Sequence, residues 1–161
     1  FTIYLRPAAG TTTTRVPAEM PAVRARGGSE TILVVDDERP VRDLLTIILR
    51  GRGYTVIPTG DATAALDVLS APNRTVDLVV SDIVMPGMSG TRLVEDIQAR
   101  WPAIKLLLVS GYSNGVELGP ESSARKVPLL GKPFTPVRLE QMVRDILDGS
   151  EIRRGQPITP Q

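Results

Sequence analysis

The chain has 161 residues, 42% hydrophobic and 23% charged, an ordinary globular composition with enough apolar material for one core. It contains no cysteine and no histidine, which excludes disulfides, thiolate metal sites and any mechanism that draws a histidine base, nucleophile or ligand from this chain. The net charge is +1, yet residues 1–30 hold four Arg against Glu19 and Glu30, and residues 151–161 hold two against Glu151, so the middle carries 13 basic and 15 acidic residues and no basic stripe for nucleic acid.

At the N-terminus, Phe1-Thr2-Ile3-Tyr4-Leu5 alternates apolar and polar residues like a strand. Residues 6–30 are rich in Pro, Ala, Gly, Thr and Arg, too poor in large apolar side chains to offset the entropy of ordering, and read as a flexible linker. A chain that starts at Phe1 reads as a piece of a longer protein. No apolar run approaches the roughly 20 residues of a membrane helix, and no signal pattern is present, so this segment is expected to be cytoplasmic and without membrane contact.

From Thr31 onward, β-rich runs alternate with helical ones, the pattern of a parallel sheet with crossover helices. Strands are expected at 32–35, 54–57, 76–81, 104–109 and 127–130; the unbroken apolar runs Leu78-Val79-Val80 and Leu106-Leu107-Leu108-Val109 suit strands covered on both faces. The first helix presents Val41, Leu44, Leu45, Ile48 and Leu49 at the spacing of one buried face, and the last presents Leu139, Met142, Val143, Ile146 and Leu147. A second, weaker helix uses Ala62, Ala65, Leu66 and Leu69, and a third uses Leu93, Val94 and Ile97, ending near Trp101. Between 114 and 126, Gly115, Gly119 and Pro120 predict a short or irregular element. The expected fold is α/β, a doubly wound, flavodoxin-like five-stranded parallel sheet of order 2-1-3-4-5 over residues 31–148, with a tail at 149–161.

In such sheets the ligand site lies beyond the carboxyl ends of the strands. Strand one ends in Asp36-Asp37-Glu38, strand three in Asp82, strand four in Ser110 and strand five in Gly131-Lys132, while strand two ends blandly at Pro58-Thr59. The strand order brings Asp36, Asp37 and Asp82 together, with Ser110 and Lys132 on the other flank. Three packed carboxylates repel one another unless a cation intervenes, and hard oxygen ligands without His or Cys select Mg²⁺ or a similar ion. With that charge neutralised, one carboxylate can attack phosphorus, while Lys132 and the Ser110 hydroxyl contact the phosphoryl oxygens.

These residues resemble the receiver domains of bacterial two-component response regulators and hybrid sensor kinases. The resemblance rests on Val34-Val35-Asp36-Asp37-Glu38, on Asp82-Ile83-Val84-Met85-Pro86-Gly87-Met88-Ser89-Gly90, on Val109-Ser110-Gly111-Tyr112 and on Gly131-Lys132-Pro133-Phe134. It implies that Asp82 is the phosphoacceptor and that Asp37 and Asp82 ligate Mg²⁺ with the Val84 carbonyl, Asp36 acting directly or through water. It also implies that Ser110 shifts toward the phosphoryl group, that Lys132 is its cationic partner, aimed inward by a cis bond to Pro133, and that Val84 and Tyr112 flank the path of the hydrolytic water. Position 129, often aromatic in this family and part of its switch, is Leu129 here. Residues 1–5 are similar to the last strand of a histidine kinase ATP-binding domain, so the whole resembles the tail of a hybrid kinase, whose parent can be membrane-anchored.

Simpler readings stand beside these. Asp36 or Asp37 can merely cap the following helix, whose first turn contains Pro40, and Lys132 can be a solvated loop lysine. The functional expectation is a phosphoacceptor domain taking its phosphoryl group from a phosphohistidine on a kinase or phosphotransfer protein; within a hybrid kinase it is the acceptor half of a phosphotransferase. The alternatives are the receiver of a stand-alone regulator, and a phosphatase with an Asp nucleophile, for which no second acid or cap is evident.

Overall fold

The computed structural model describes residues 27–111 and 126–149. The strand expected at 1–5, nearly all of the irregular element expected between 114 and 126, and Tyr112 lie outside the described residues. In chain order the elements are β1 (Thr31–Val35), α1 (Arg39–Arg50), β2 (Thr55–Thr59), α2 (Ala62–Ser70), β3 (Leu78–Asp82), α3 (Gly90–Arg100), β4 (Lys105–Ser110), β5 (Leu129–Gly131) and α4 (Pro136–Asp148).

The five strands form one parallel sheet in the order β2-β1-β3-β4-β5. Successive strand residues point to opposite faces, and here both faces are covered. Ile32 and Val34 of β1, Leu78 and Val80 of β3, and Leu107 and Val109 of β4 pack with Leu45 and Leu49 of α1 and Leu139, Met142 and Val143 of α4. The intervening Leu33, Val35, Val79, Leu106 and Leu108 pack with α2 and α3 through Ala65, Leu69, Leu93, Val94 and Ile97. Two cores on one sheet explain why β3 and β4 read as continuous apolar runs.

Three helices begin on side-chain caps: Asp61 accepts from the Ala64 amide at 2.8 Å, Ser89 from Arg92 at 3.3 Å and Thr135 from Arg138 at 3.2 Å. The start of α1 differs, since its cap residue Glu38 makes no side-chain cap bond and Pro40 stands in the first turn.

The structure corrects several expectations in detail. Leu44 is 49% exposed and does not belong to the buried face of α1, because the helix meets the sheet through Leu45 and Leu49 and turns Leu44 and Ile47 outward. The last strand spans three residues, and Val127 packs against the core from outside it. Glu30, which composition assigns to the linker, is tied down. Its carbonyl accepts from Thr55 N at 3.0 Å and its carboxylate meets Arg144 at 2.8 Å. Among the described residues no helix is long and apolar enough to cross a membrane.

Candidate functional site

Register places the polar strand ends side by side. Val35 of β1 pairs with Ser81 of β3, Asp82 with Val109 of β4, and Ser110 with Gly131 of β5. Asp36 continues the parity of Ile32 and Val34, Asp82 that of Leu78 and Val80, and Lys132 that of Leu130, so all three follow the face that packs on α1 and α4.

Lys132 is the centre of the arrangement. Its Nζ donates to Asp82 Oδ1 at 3.0 Å and to Asp36 Oδ2 at 3.2 Å, with Glu38 Oε1 farther off at 4.0 Å. The sequence expectation put Lys132 on a separate flank with Ser110; instead its ammonium bridges the two acids, because a four-carbon stem reaches across β4 and β3 from the end of β5. The Lys132–Pro133 bond is cis, as expected.

The remaining oxygens are also engaged. Asp36 Oδ1 accepts from the Glu38 amide at 2.9 Å, and Asp82 Oδ2 accepts from the Val84 amide at 3.0 Å. Asp36, Asp82 and Ser110 are buried, whereas Asp37 is exposed. The main-chain amide of Lys132 donates to Ser110 O at 2.6 Å, fixing the start of the lysine loop on β4. Val84 and Leu129 are 61% and 50% exposed, so both expected lifetime and switch positions are accessible side chains, while Tyr112 lies outside the described residues.

Burial pushes the Asp36 carboxyl above the ordinary aspartate range, against the opposing pull of Lys132. Burial also pulls the Lys132 ammonium down, but the hydrogen bond to Asp82 and the charges of Asp36 and Asp82 outweigh it, and the net direction is upward. Lys132 is therefore a firmly protonated cation at neutral pH.

Among the described residues no three His, Cys, Asp or Glu side chains stand together as a preformed metal cluster. Lys132 occupies the space between Asp36 and Asp82, and the Asp37 side chain is turned to solvent. The donor set nevertheless fits Mg²⁺: carboxylates of Asp36, Asp37 and Asp82 with the nearby Val84 carbonyl are all hard oxygen ligands.

Three residues that sequence reasoning passed over also shape the site. Arg42 donates to the carbonyls of Asp36 and Asp37 at 2.5 and 3.4 Å. Thr59, dismissed as a bland strand end, is buried with its hydroxyl on Val34 O at 3.2 Å, and its carbonyl accepts from the Asp36 amide at 3.3 Å. Gly90 lies so close to the acceptor strand that a Cβ would fall 1.9 Å from the Asp82 carbonyl oxygen. Only Gly90 left a signal, as the last residue of the Asp82–Gly90 block.

The response regulator receiver domain family matches this chain over residues 32–144. The chain belongs to that family. It is 36% identical over 121 residues to the sensor kinase CckA of Brucella abortus, covering 75% of this chain and 13% of that protein. It is 35% identical over 127 residues to the transcriptional regulatory protein FixJ of Bradyrhizobium diazoefficiens, covering 78% of this chain and 58% of that one. The response regulator TrrA of Thermotoga maritima, solved in complex with Mg²⁺-BeF, superposes with a TM-score of 0.64 at 31% identity, over 73% of this chain and 98% of that chain. This receiver thus spans a small part of the first relative and little more than half of the second. Its sheet order and paired helices are those of the CheY-like, flavodoxin-like fold.

Proposed function

We propose that this receiver, a domain of two-component signalling, accepts a phosphoryl group on Asp82 from a phosphohistidine of a histidine kinase or phosphotransfer protein. The observation that carries the assignment is the Lys132 ammonium, 3.0 Å from the Asp82 carboxylate in a buried setting at the carboxyl end of the sheet. A carboxylate oxygen of Asp82 forms the bond to phosphorus as the donor's P–N bond breaks, and the released imidazole takes up a proton. Lys132 pairs with the phosphoryl oxygens and so stabilises charge where it gathers. The buried Ser110 hydroxyl, on the strand next to β3, contacts the same oxygens. Asp36, Asp37, Asp82 and the Val84 carbonyl would hold Mg²⁺, which would supply charge neutralisation between acids and phosphate. Position 129 holds an exposed leucine where the family often has a switching aromatic ring, so signalling here does not run through such a ring.

Incubation with acetyl phosphate and Mg²⁺ is expected to add one phosphoryl mass to the intact chain, read by intact mass, and Asp82→Asn to abolish it; unchanged labelling in the variant moves the acceptor elsewhere.

The parent is read as a hybrid histidine kinase. The 36% identity to a sensor kinase and the kinase-like sequence pattern of residues 1–5 support it, and a cytoplasmic setting goes with it. The FixJ relative supports a second reading, a receiver of a transcriptional regulator. Phosphotransfer profiling against candidate kinases and phosphotransfer proteins separates them: fast exchange with a phosphotransfer protein supports a relay, and fast one-way transfer from a kinase supports a regulator.

A further inference from the structure

The side chain of Arg42 is half-buried and folds back along its own helix rather than extending into solvent. It sits in the first turns of α1, where its own amide makes the helix-opening bond to Glu38 O at 3.0 Å. A cation so close to a helix N-terminus is opposed by the macrodipole. Its Nη1 folds back over the β1–α1 loop and donates to the carbonyls of both Asp36 and Asp37. The β2–α2 turn closes on it from the other side, since a Cβ at Gly60 would stand 3.5 Å from the same Nη1.

Carbonyls of consecutive residues in an extended chain point in opposite directions. For one nitrogen to bind two of them, the chain must bend between Asp36 and Asp37, and the bend determines how those two side chains leave the loop. The Asp36 carboxylate follows the inward parity of β1 to Lys132 and the Glu38 amide, and the bend fixes where Asp37 leaves the loop, on the solvent side of the site. No other described side chain donates to these carbonyls, and the cap of α1 contributes no side-chain bond of its own.

We propose that Arg42 is a positioning residue for divalent cation binding: by holding the Asp36 and Asp37 carbonyls it fixes the backbone from which the paired carboxylates reach the cation, without touching it. The proposal rests on the assignment of these acids as Mg²⁺ ligands. Groups that orient metal ligands typically contribute about 10- to 100-fold to affinity. Lys in place of Arg retains the charge, but its ammonium ends one bond nearer the backbone than Nη1 does, so it reaches the two carbonyls less well.

The experiment is calorimetric titration of the full chain with MgCl₂ and no phosphodonor, comparing wild type, Arg42→Met, Arg42→Lys and Thr46→Val. Thr46 bonds the Arg42 carbonyl at 2.8 Å and leaves the acidic loop alone, so its variant loosens α1 without releasing the bend. The expected result is affinity weakened by about 10- to 100-fold in Arg42→Met, by less in Arg42→Lys, and unchanged in Thr46→Val. Equal affinity in wild type and Arg42→Met overturns the inference and leaves the metal site standing. Equal weakening in Thr46→Val also overturns it, because general loosening of α1 then suffices. If Arg42→Met does not fold, Arg42→Lys decides by the same criterion. Absence of Mg²⁺ binding in wild type overturns the metal assignment and the inference with it.

Discussion

At the scale of single residues, crowding and chemistry separate cleanly around the acceptor strand. Gly90 and Gly87 both stand in the stretch that follows Asp82, for different reasons. Gly90 has no room for a Cβ against the Asp82 carbonyl, whereas Gly87 has open space but φ of 81°. Gly90→Ala forces backbone to shift and is expected to cost about 1 to 3 kcal/mol, with loss of phosphorylation as Asp82 moves. Gly87→Ala is expected to cost about 1 kcal/mol from its left-handed backbone while leaving labelling intact. Denaturant unfolding and intact mass on the two variants check this. Val84 is an exposed, apolar neighbour of the acceptor and offers nothing to orient water. Self-dephosphorylation is therefore expected to be slow. Val84→Asn, which supplies an amide, is expected to speed hydrolysis about 10-fold, equivalent to about 1.4 kcal/mol of barrier. Loss of label from wild type within seconds, with no partner present, contradicts this.

At the scale of elements, α4 is fastened to the opposite end of the sheet from the site. Glu140 pairs with Arg52 at 2.5 Å, Lys105 Nζ donates to Leu147 O at 2.5 Å, and Arg144 bridges Glu30 at 2.8 Å and Asp148 at 2.7 Å. The Arg144 hydrogen bond holds the Glu30 carboxyl below its ordinary range, against the upward effect of burial. A lowered folded-state value means the stabilisation is complete above the unfolded carboxyl value of 4.5 and is lost as pH falls through the lower folded value. Glu30→Gln is thus expected to melt below wild type at pH 7 and to converge with it under acid, the gap also narrowing in high salt. A gap constant from neutral pH to pH 3 rules the ion pair out as its source.

For the whole molecule, the folded unit begins before its first strand. Gly27 packs where a Cβ would meet Arg52 O at 1.9 Å, and the carbonyl of Gly28 lies 3.0 Å from where one would stand at Gly53. With the Glu30 contacts, these residues seal the end of the sheet next to α4. Removing residues 1–26 is expected to leave the melting temperature nearly unchanged, whereas removing 1–30 lowers it by several degrees, since two backbone-level contacts and an ion pair are worth about 1 to 2 kcal/mol. Equal melting of the two truncations, read by calorimetry, contradicts this boundary.

The fold class was legible because parallel strands buried on both faces leave a strong apolar signature and their order confines the chemistry to the strand ends. Asp82 and the acids after β1 could be named from that rule alone. Which acid of the pair goes inward was also written in the alternation of β1, since Asp36 shares the parity of Ile32 and Val34 and Asp37 does not. What local pattern could not supply was anything carried by long-range approach. The bridge of Lys132 across two strands, the folding back of Arg42, the Cβ-free contact at Gly90 and the anchoring of Glu30 by Arg144 each join residues whose meeting depends on how layers pack. Exposure of Leu44 has the same origin: periodicity defines a helix face, but only the docking of α1 on the sheet decides where that face ends.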